Sequence, residues 1–411
     1  MMRIGILSNL YPPFSIGGYE RLCASVVEQL AALGHEIFVL TSDYGDNKAS
    51  VTGQLVYRKL RLLADYDNIY RQKHFPEGLR SDINRANIHE LASFVESNKI
   101  DVLFVWNLYF LDSSFIEAIA RTGVPSLLFL TDNWLIAMQR SEFIGEFFRR
   151  YVNGTEVFDP THQVKPTLTI RSNVIFGAHF MQKLYHAAGL EFQNSTVIHN
   201  GVQLPMVPRE FSIDRRTLRS ERAVQLLFCG RVVDVKGVHL LIPALKEIKQ
   251  RLGARYSVTL DIVGDRQDLD YLKRIDHEIE VAGLTDSINY LDVVPESALL
   301  TVFNDHDIFL FPSLYEPFSL TLIHALAAGI PTVASDVGGN SEILEHDVTG
   351  LIFDKNDTTK LADCVIRLVE DDELRGRIST RGAYVAKRFG FQRMIKRILI
   401  ELSILSDRGT G

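Results

Sequence analysis

The sequence predicts an α/β protein made of two Rossmann-like domains facing across a cleft. Short apolar strands alternate with helical patterns through most of the chain, which is the signature of parallel sheets covered on both faces. The alternation breaks once, between Val202 and Ser220, where Pro205, Pro208 and the charged run Asp214-Arg215-Arg216 read as a connection. A length of 411 residues is too much for one core and comfortable for two domains. The division is therefore placed at residue 205, giving domains over 1–204 and 205–385 and a tail over 386–411.

In the first half the strands fall at Arg3–Ser8, Glu36–Thr41, Val102–Trp106, Ser126–Thr131, Val174–Phe176 and Ser195–Ile198. A helix over Tyr19–Leu33 follows the first strand and is closed by Gly34 as its C-cap. A second helix spans Ile83–Ser97, and Leu62 to Gly78, with Tyr66, Tyr70, His74 and Phe75, lacks a period and reads as ordered loop. The second half repeats the alternation with strands at Val224–Cys229, Ser257–Val263, Ile288–Tyr290, Ile308–Phe311, Thr332–Ala334 and Leu351–Phe353. The run Phe389 to Leu405 is amphipathic and carries Arg393, Lys396 and Arg397. In sheets of this kind ligands bind beyond the carboxyl ends of the strands.

Composition excludes several classes of function. The chain is 46% hydrophobic and 23% charged, as a folded globular protein should be. Its net charge is −7, with residues 1–200 at −2 and the remainder at −5, so neither half offers nucleic acid a phosphate-neutralising face. Cys23, Cys229 and Cys364 lie far apart in apolar runs and read as reduced core residues of a cytoplasmic protein. No leader precedes the first strand, so no signal peptide is expected. The longest apolar stretch, Val102 to Leu111, is broken by Asn107 and is too short to cross a bilayer. Phe147-Phe148-Arg149-Arg150-Tyr151 and Arg58-Lys59-Leu60-Arg61 are the two places where a peripheral contact with the inner face of a membrane could form, although short charge clusters are usually solvated faces.

The most informative stretch runs from Phe311 to Pro331. An apolar strand enters a turn with Pro312 and Ser313, Glu316 stands at its tip, and an Ala-rich helix follows at once. Such a turn aims backbone N–H groups and a positive helix end at one spot, suited to a diphosphate. A carboxylate there suits hydroxyls, so a ligand carrying phosphate and sugar together is expected. Upstream, Gly230-Arg231-Val232-Val233-Asp234-Val235-Lys236-Gly237 places one long cation at a strand end and a second after a short turn, able to close on the same diphosphate. In the first half, Pro12-Pro13-Phe14-Ser15-Ile16-Gly17-Gly18-Tyr19-Glu20 joins strand to helix, and its paired glycines permit close approach of a ligand. The spacing is not that of the dinucleotide fingerprint. Asp132, in Thr131-Asp132-Asn133-Trp134, either accepts a hydrogen bond from a substrate hydroxyl or caps the next helix. Asp268-Leu269-Asp270 and Asp305-His306-Asp307 match a divalent-metal pattern, but the first opens a helix and the second precedes a buried strand. No metal site is expected from them, nor from the twelve histidines, which lack ligand spacing.

The order strand, Pro-Ser, Glu-Pro-Phe, helix, Gly-Ile-Pro resembles the signature of retaining glycosyltransferases of family 4 (group 1, GT-B fold), which includes sucrose-phosphate synthases and phosphatidylinositol mannosyltransferases. Asn200-Gly201-Val202, Gly338-Gly339-Asn340-Ser341-Glu342-Ile343 and Thr349-Gly350-Leu351-Ile352 fit the same pattern, so the resemblance covers the second half well and the first in outline. It implies that the second domain holds a nucleotide diphosphate sugar, a UDP-sugar by preference, and the first domain the acceptor, with the C-terminal helix packing back on the first domain. Arg231 and Lys236 would bind the diphosphate, Glu316 would hold donor hydroxyls, and Asp132 completes the catalytic candidates. Gly17, Gly18, Gly230, Gly264, Val294, Phe318, Ser319, Leu320, Thr321 and His324 are the donor-binding candidates. The sequence departs from the family at Thr131, where a histidine is common, at Ser319, and at His324, where a second glutamate usually stands eight positions after the first. The implied activity is transfer of a sugar to a sugar, lipid-linked or small-molecule acceptor with retention of configuration and without a cofactor, in glycan, glycolipid or glycosylated-metabolite synthesis. The alternatives are a catalytically weak nucleotide-sugar-binding protein and a disaccharide or disaccharide-phosphate synthase.

Overall fold

The computed structural model describes residues 1–15, 17–45, 55–69, 73–161, 164, 167–204, 218 and 223–408. Most of the predicted connection, together with Ile16 and Tyr70, lies outside the described residues. The chain divides into two compact units, Met1–His199 with Met394–Gly411, and Asn200–Arg393.

The first unit contains β1 (Arg3–Leu7), α1 (Gly18–Ala32), β2 (Glu36–Ser42), β3 (Leu55–Leu60), α2 (Glu77–Asn98), β4 (Val102–Val105), α3 (Phe115–Arg121), β5 (Ser126–Leu130), α4 (Trp134–Gln139), α5 (Ser141–Phe147), β6 (Leu168–Phe176), α6 (His179–Ala187) and β7 (Leu190–Val197). Its sheet is parallel throughout, in the order β3-β2-β1-β4-β5-β6-β7. The central strands are apolar on both faces: Val102 to Val105 and Leu127 to Leu130 are all buried.

Four elements differ from the sequence expectation. β3 is a strand where a cationic cluster was read. Arg58 is buried there, donates to the carbonyl oxygens of Tyr11 and Pro12, and stacks 5.5 Å from the centre of the Phe14 ring, so it braces the loop after β1 and is not offered to headgroups. Helix α2 starts at Glu77, ahead of the expected Ile83, because its first turns are exposed and carry no apolar period. β6 and β7 are longer than the runs read from sequence, and β7 is an edge strand whose exposed polar residues hide the strand pattern. In the second cationic cluster, Arg150 pairs with Glu146 at 3.1 Å and also with Glu156, while Arg149 lies 3.7 Å from Glu146, so its charge is matched locally. No helix among the described residues is long and apolar enough to cross a membrane.

The second unit contains β8 (Ala223–Cys229), α7 (Val238–Leu252), β9 (Ser257–Val263), α8 (Leu269–Ala282), β10 (Ile288–Leu291), α9 (Leu299–Asn304), β11 (Ile308–Phe311), α10 (Leu320–Ala327), β12 (Thr332–Ser335), α11 (Asn340–Ile343), β13 (Leu351–Phe353), α12 (Thr358–Glu370) and α13 (Asp372–Ala386). Its parallel sheet has the order β10-β9-β8-β11-β12-β13. Helix α14 (Phe391–Arg408) begins here and belongs to the first unit from Met394 onward.

In each sheet the chain order reverses once, between β1 and β4 and between β8 and β11. Loops leaving the carboxyl ends of those strand pairs diverge and open a crevice. One aspartate of each Asp-x-Asp pair has a structural role. Asp268 caps α8 by accepting from Tyr271 N at 3.1 Å. Asp307, at the amino end of β11, accepts from Gln225 N at 2.8 Å, and His306 bonds Val302 O and Asp261 Oδ2. Removing the buried Asp307 carboxylate leaves the Gln225 N–H without its partner. Asp307→Ala should therefore lower unfolding free energy by about 1–3 kcal/mol in a denaturant titration while leaving turnover of folded protein unchanged. A loss of turnover without a loss of stability would return this aspartate to the chemistry.

Candidate functional site

In the second unit two loops meet at the switch point, Gly230–Gly237 after β8 and Pro312–Ser319 after β11. Their approach is set by backbone. Gly237 sits at φ +70°, and a Cβ there would stand 2.1 Å from Pro312 O, so only glycine fits. Leu314 N donates to Val235 O at 2.8 Å, joining the loops directly. Gly264, at φ +146°, lies under Gly230 in the same way, its absent Cβ 1.9 Å from Gly230 O, while Val232 N donates to Asp265 O at 2.8 Å. Packing between adjacent loops therefore requires glycine at 264. Gly338 and Gly339 press on the backbone of the other loop, and Gly339 N donates to Glu316 O at 2.9 Å.

This stitching brings Lys236 and Glu316 together. The ammonium lies 2.5 Å from Glu316 Oε2, with the two side chains only 18% and 9% exposed, and 5.7 Å from the centre of the Phe311 ring. Desolvating both groups is costly, and the short contact offsets that cost. The pair is also close to neutral as seen by a third charge. Arg231 is different: it is exposed and makes no ion pair among the described residues, so it carries the uncompensated positive charge of this edge. Beside it Asp234 is held at 2.7 Å by Arg274 from α8, which anchors the loop from its outer side.

Helix α10 opens at the same edge. Ser319 is its N-cap, and its Oγ accepts from Leu322 N at 3.1 Å. The hydroxyl proton can still donate outward, beside the first-turn N–H groups of Leu320 and Thr321. Phe318 is buried against the Phe389 ring at 5.6 Å. His324, one turn into α10, places Nε2 3.1 Å from Glu296 Oε1. Glu296 follows Val294 and Pro295 in the loop after β10, a residue that sequence reasoning did not single out. A lone glutamate in a loop gives no signal until the fold sets it against α10.

The first unit gathers Gly17, Gly18 and Asp132 with Tyr19 and Glu20 at the carboxyl edge of its sheet. Gly17 N donates to Glu20 Oε2 at 2.9 Å, closing the start of α1. A Cβ at Gly17 would meet nothing within 4 Å, so protein packing does not demand glycine there. Tyr19 donates its hydroxyl to Phe129 O and packs edge-on against Trp106 at 5.7 Å. Asp132 Oδ1 accepts from Trp134 N at 2.9 Å, so one carboxylate oxygen organises the entry to α4 and the other remains for an incoming hydroxyl. Burial pushes this carboxyl up to about 7; the Trp134 N–H opposes the shift and the charge of Glu20 adds to it.

Comparison with known proteins matches each half of the chain. The family model "Glycosyltransferase Family 4" aligns with residues 16–204, and "Glycosyl transferases group 1" with residues 210–384. An uncharacterized glycosyltransferase of Methanocaldococcus jannaschii is 24% identical over 86% of each chain. Sucrose-phosphate synthase from Thermosynechococcus elongatus superposes with a TM-score of 0.73 at 18% identity, covering 98% of this chain and 99% of that one. Anabaena HepE in complex with UDP and glucose superposes at 0.68 and 20% identity over 98% and 100%; at such identities the two structures speak for the fold. With both halves matched by the two domains of one enzyme family, and both sheets parallel and doubly wound, the chain belongs to the family 4 glycosyltransferases of GT-B fold.

Proposed function

We propose that this glycosyltransferase moves a sugar from a nucleotide diphosphate donor, UDP by preference, to an acceptor hydroxyl with retention of anomeric configuration. The second unit takes the donor and the first the acceptor. The observation that carries the reading is the convergence of Arg231, the Lys236–Glu316 pair and the start of α10 at one edge of the second sheet. The UDP bound to Anabaena HepE supports the choice of nucleotide.

As the anomeric C–O bond breaks, negative charge grows on the diphosphate. Fixed donors at that edge stabilise it without reorganising: Arg231 with its full charge, Lys236 through the N–H groups that Glu316 does not use, and the amides of Leu320 and Thr321. Glu316, held by Lys236, accepts from sugar hydroxyls. The Glu296–His324 pair supplies a carboxylate for the ribose where family members place one on the helix itself. No metal enters this scheme. In the first unit Asp132 accepts a hydrogen bond from the acceptor hydroxyl.

Three outcomes follow. Arg231→Ala should lower turnover by roughly 10²-fold or more with an unchanged thermal midpoint, because the side chain is exposed; normal turnover with true substrates would place the diphosphate elsewhere. Glu296→Ala and His324→Ala should each weaken UDP binding several-fold by calorimetry, and the double variant should be no weaker than either single one, since each acts through the other; fully additive losses would separate them. Asp132 accepts far more strongly when ionised than as the neutral acid, so kcat/KM should climb with pH and level off above about 7. Asp132→Asn should lower the rate and flatten that rise, and an unaltered pH profile in the variant would assign the ionisation to another group.

A further inference from the structure

Resting on the assignment of the acceptor to the first unit, we propose that the cavity walled by Lys73, His74, Arg80, Tyr109, Phe110 and Met138 binds an acceptor bearing an anionic group, a phosphate monoester or a carboxylate on a sugar or polyol. The cavity measures about 320 Å³, within the range of small-molecule sites. It lies over the carboxyl edge of the first sheet, where the loops after β3 and β4 meet through Leu63 N donating to Phe110 O at 2.7 Å.

Every charged side chain lining it is basic. The carboxylates that steady two of them stand outside the lining. Asp112 takes a single Arg80 nitrogen at 3.1 Å, which leaves most of the guanidinium fork for a ligand. Partial burial would raise the Asp112 carboxyl, but hydrogen bonds from Ser114 and Arg80 outweigh it and keep it below the ordinary range, so Arg80 is held by a persistent anion. Asp65, buried, stands 4.0 Å from Lys73, at the outer limit of an ion pair. Lys73, His74 and Arg80 are all exposed and all line the cavity, and a bound phosphate or carboxylate answers them together.

The opposite wall is aromatic. Tyr109 and Phe110 pack with ring centres 4.5 Å apart and give a sugar ring an apolar face. Phe110 holds φ at +75°, a region that bulky side chains rarely enter, at a cost of about 1–3 kcal/mol. Asn107 and Asn9 fix the adjoining Tyr109 backbone, at 2.8 and 3.0 Å. Met138 lies on α4, whose entry Asp132 organises. One short helix thus links the cavity wall at Met138 to the turn that holds Asp132.

The test is calorimetric titration of the full chain, with UDP saturating, by glucose 6-phosphate, glucuronate and glucose. At least one anionic sugar should bind about tenfold or more tightly than glucose, and the better of the two identifies the anion. Arg80→Gln and Lys73→Gln, both at exposed positions, should each remove most of that advantage with thermal midpoint and UDP affinity unchanged. Equal binding of all three sugars, absence of binding by both anionic ones, or an advantage that survives both substitutions overturns the assignment. UDP binding and its response to Arg231→Ala report separately on the glycosyltransferase reading, so the two cannot fail unnoticed together.

Discussion

The close approach of the loops after β8 and β11 is the constraint on which the second unit's site depends. Without glycine at 237 the Pro312 carbonyl could not come so near, and without that contact Lys236 would not reach Glu316. A buried ion pair is a poor source of stability, because apolar residues of the same volume often do as well. Its value is positional. One cation and one carboxylate are held at fixed places in a poorly solvated corner, which is the arrangement that the proposed diphosphate-sugar donor requires.

The pair also sets the electrostatics of that edge. Because Glu316 compensates Lys236, most of the field felt by an approaching anion comes from Arg231 and the end of α10. On the proposed function, binding the dianion and orienting the sugar fall to different residues. The first unit is organised more loosely. Gly17 has open space where a side chain would be, Asp132 divides its two oxygens between α4 and the outside, and the aromatic and basic loops beyond β3 and β4 give the cavity its own chemistry. The edge of the second sheet is thus built on interlocked backbone, whereas the cavity of the first unit is walled by side chains.

What was legible in the sequence followed burial. In the second unit all six strands were read close to their observed bounds, because each is a short apolar run between turn residues. In the first unit β3 was missed: Arg58 and Lys59 made it look like a solvated cluster, and only the fold shows Arg58 turned inward to the carbonyls after β1. The positions of Arg231, Lys236, Glu316 and Ser319 were legible because each stands at a strand end or helix start. The partnership of Glu296 with His324 was not, since no periodicity or spacing links a loop glutamate to a helix on the far side of two strands. The close approach of Gly264 to Gly230 was not legible either, because nothing in the sequence shows that the two loops touch.

If Glu296, anchored by His324, does the work of the helix carboxylate as proposed, the arrangement has an evolutionary reading. A glutamate on α10 would be a single mutational target, kept or lost by one change. Here the acid lies in a loop and its anchor lies on the helix, so drift at either position is felt at the other. Across the family, an acidic residue at 296 should co-occur with histidine at 324 and be dispensable where 324 is itself acidic. On that reading, a search that scores only the helix carboxylate would discard chains of this type as decayed copies, although Glu296 sets a carboxylate 3.1 Å from His324.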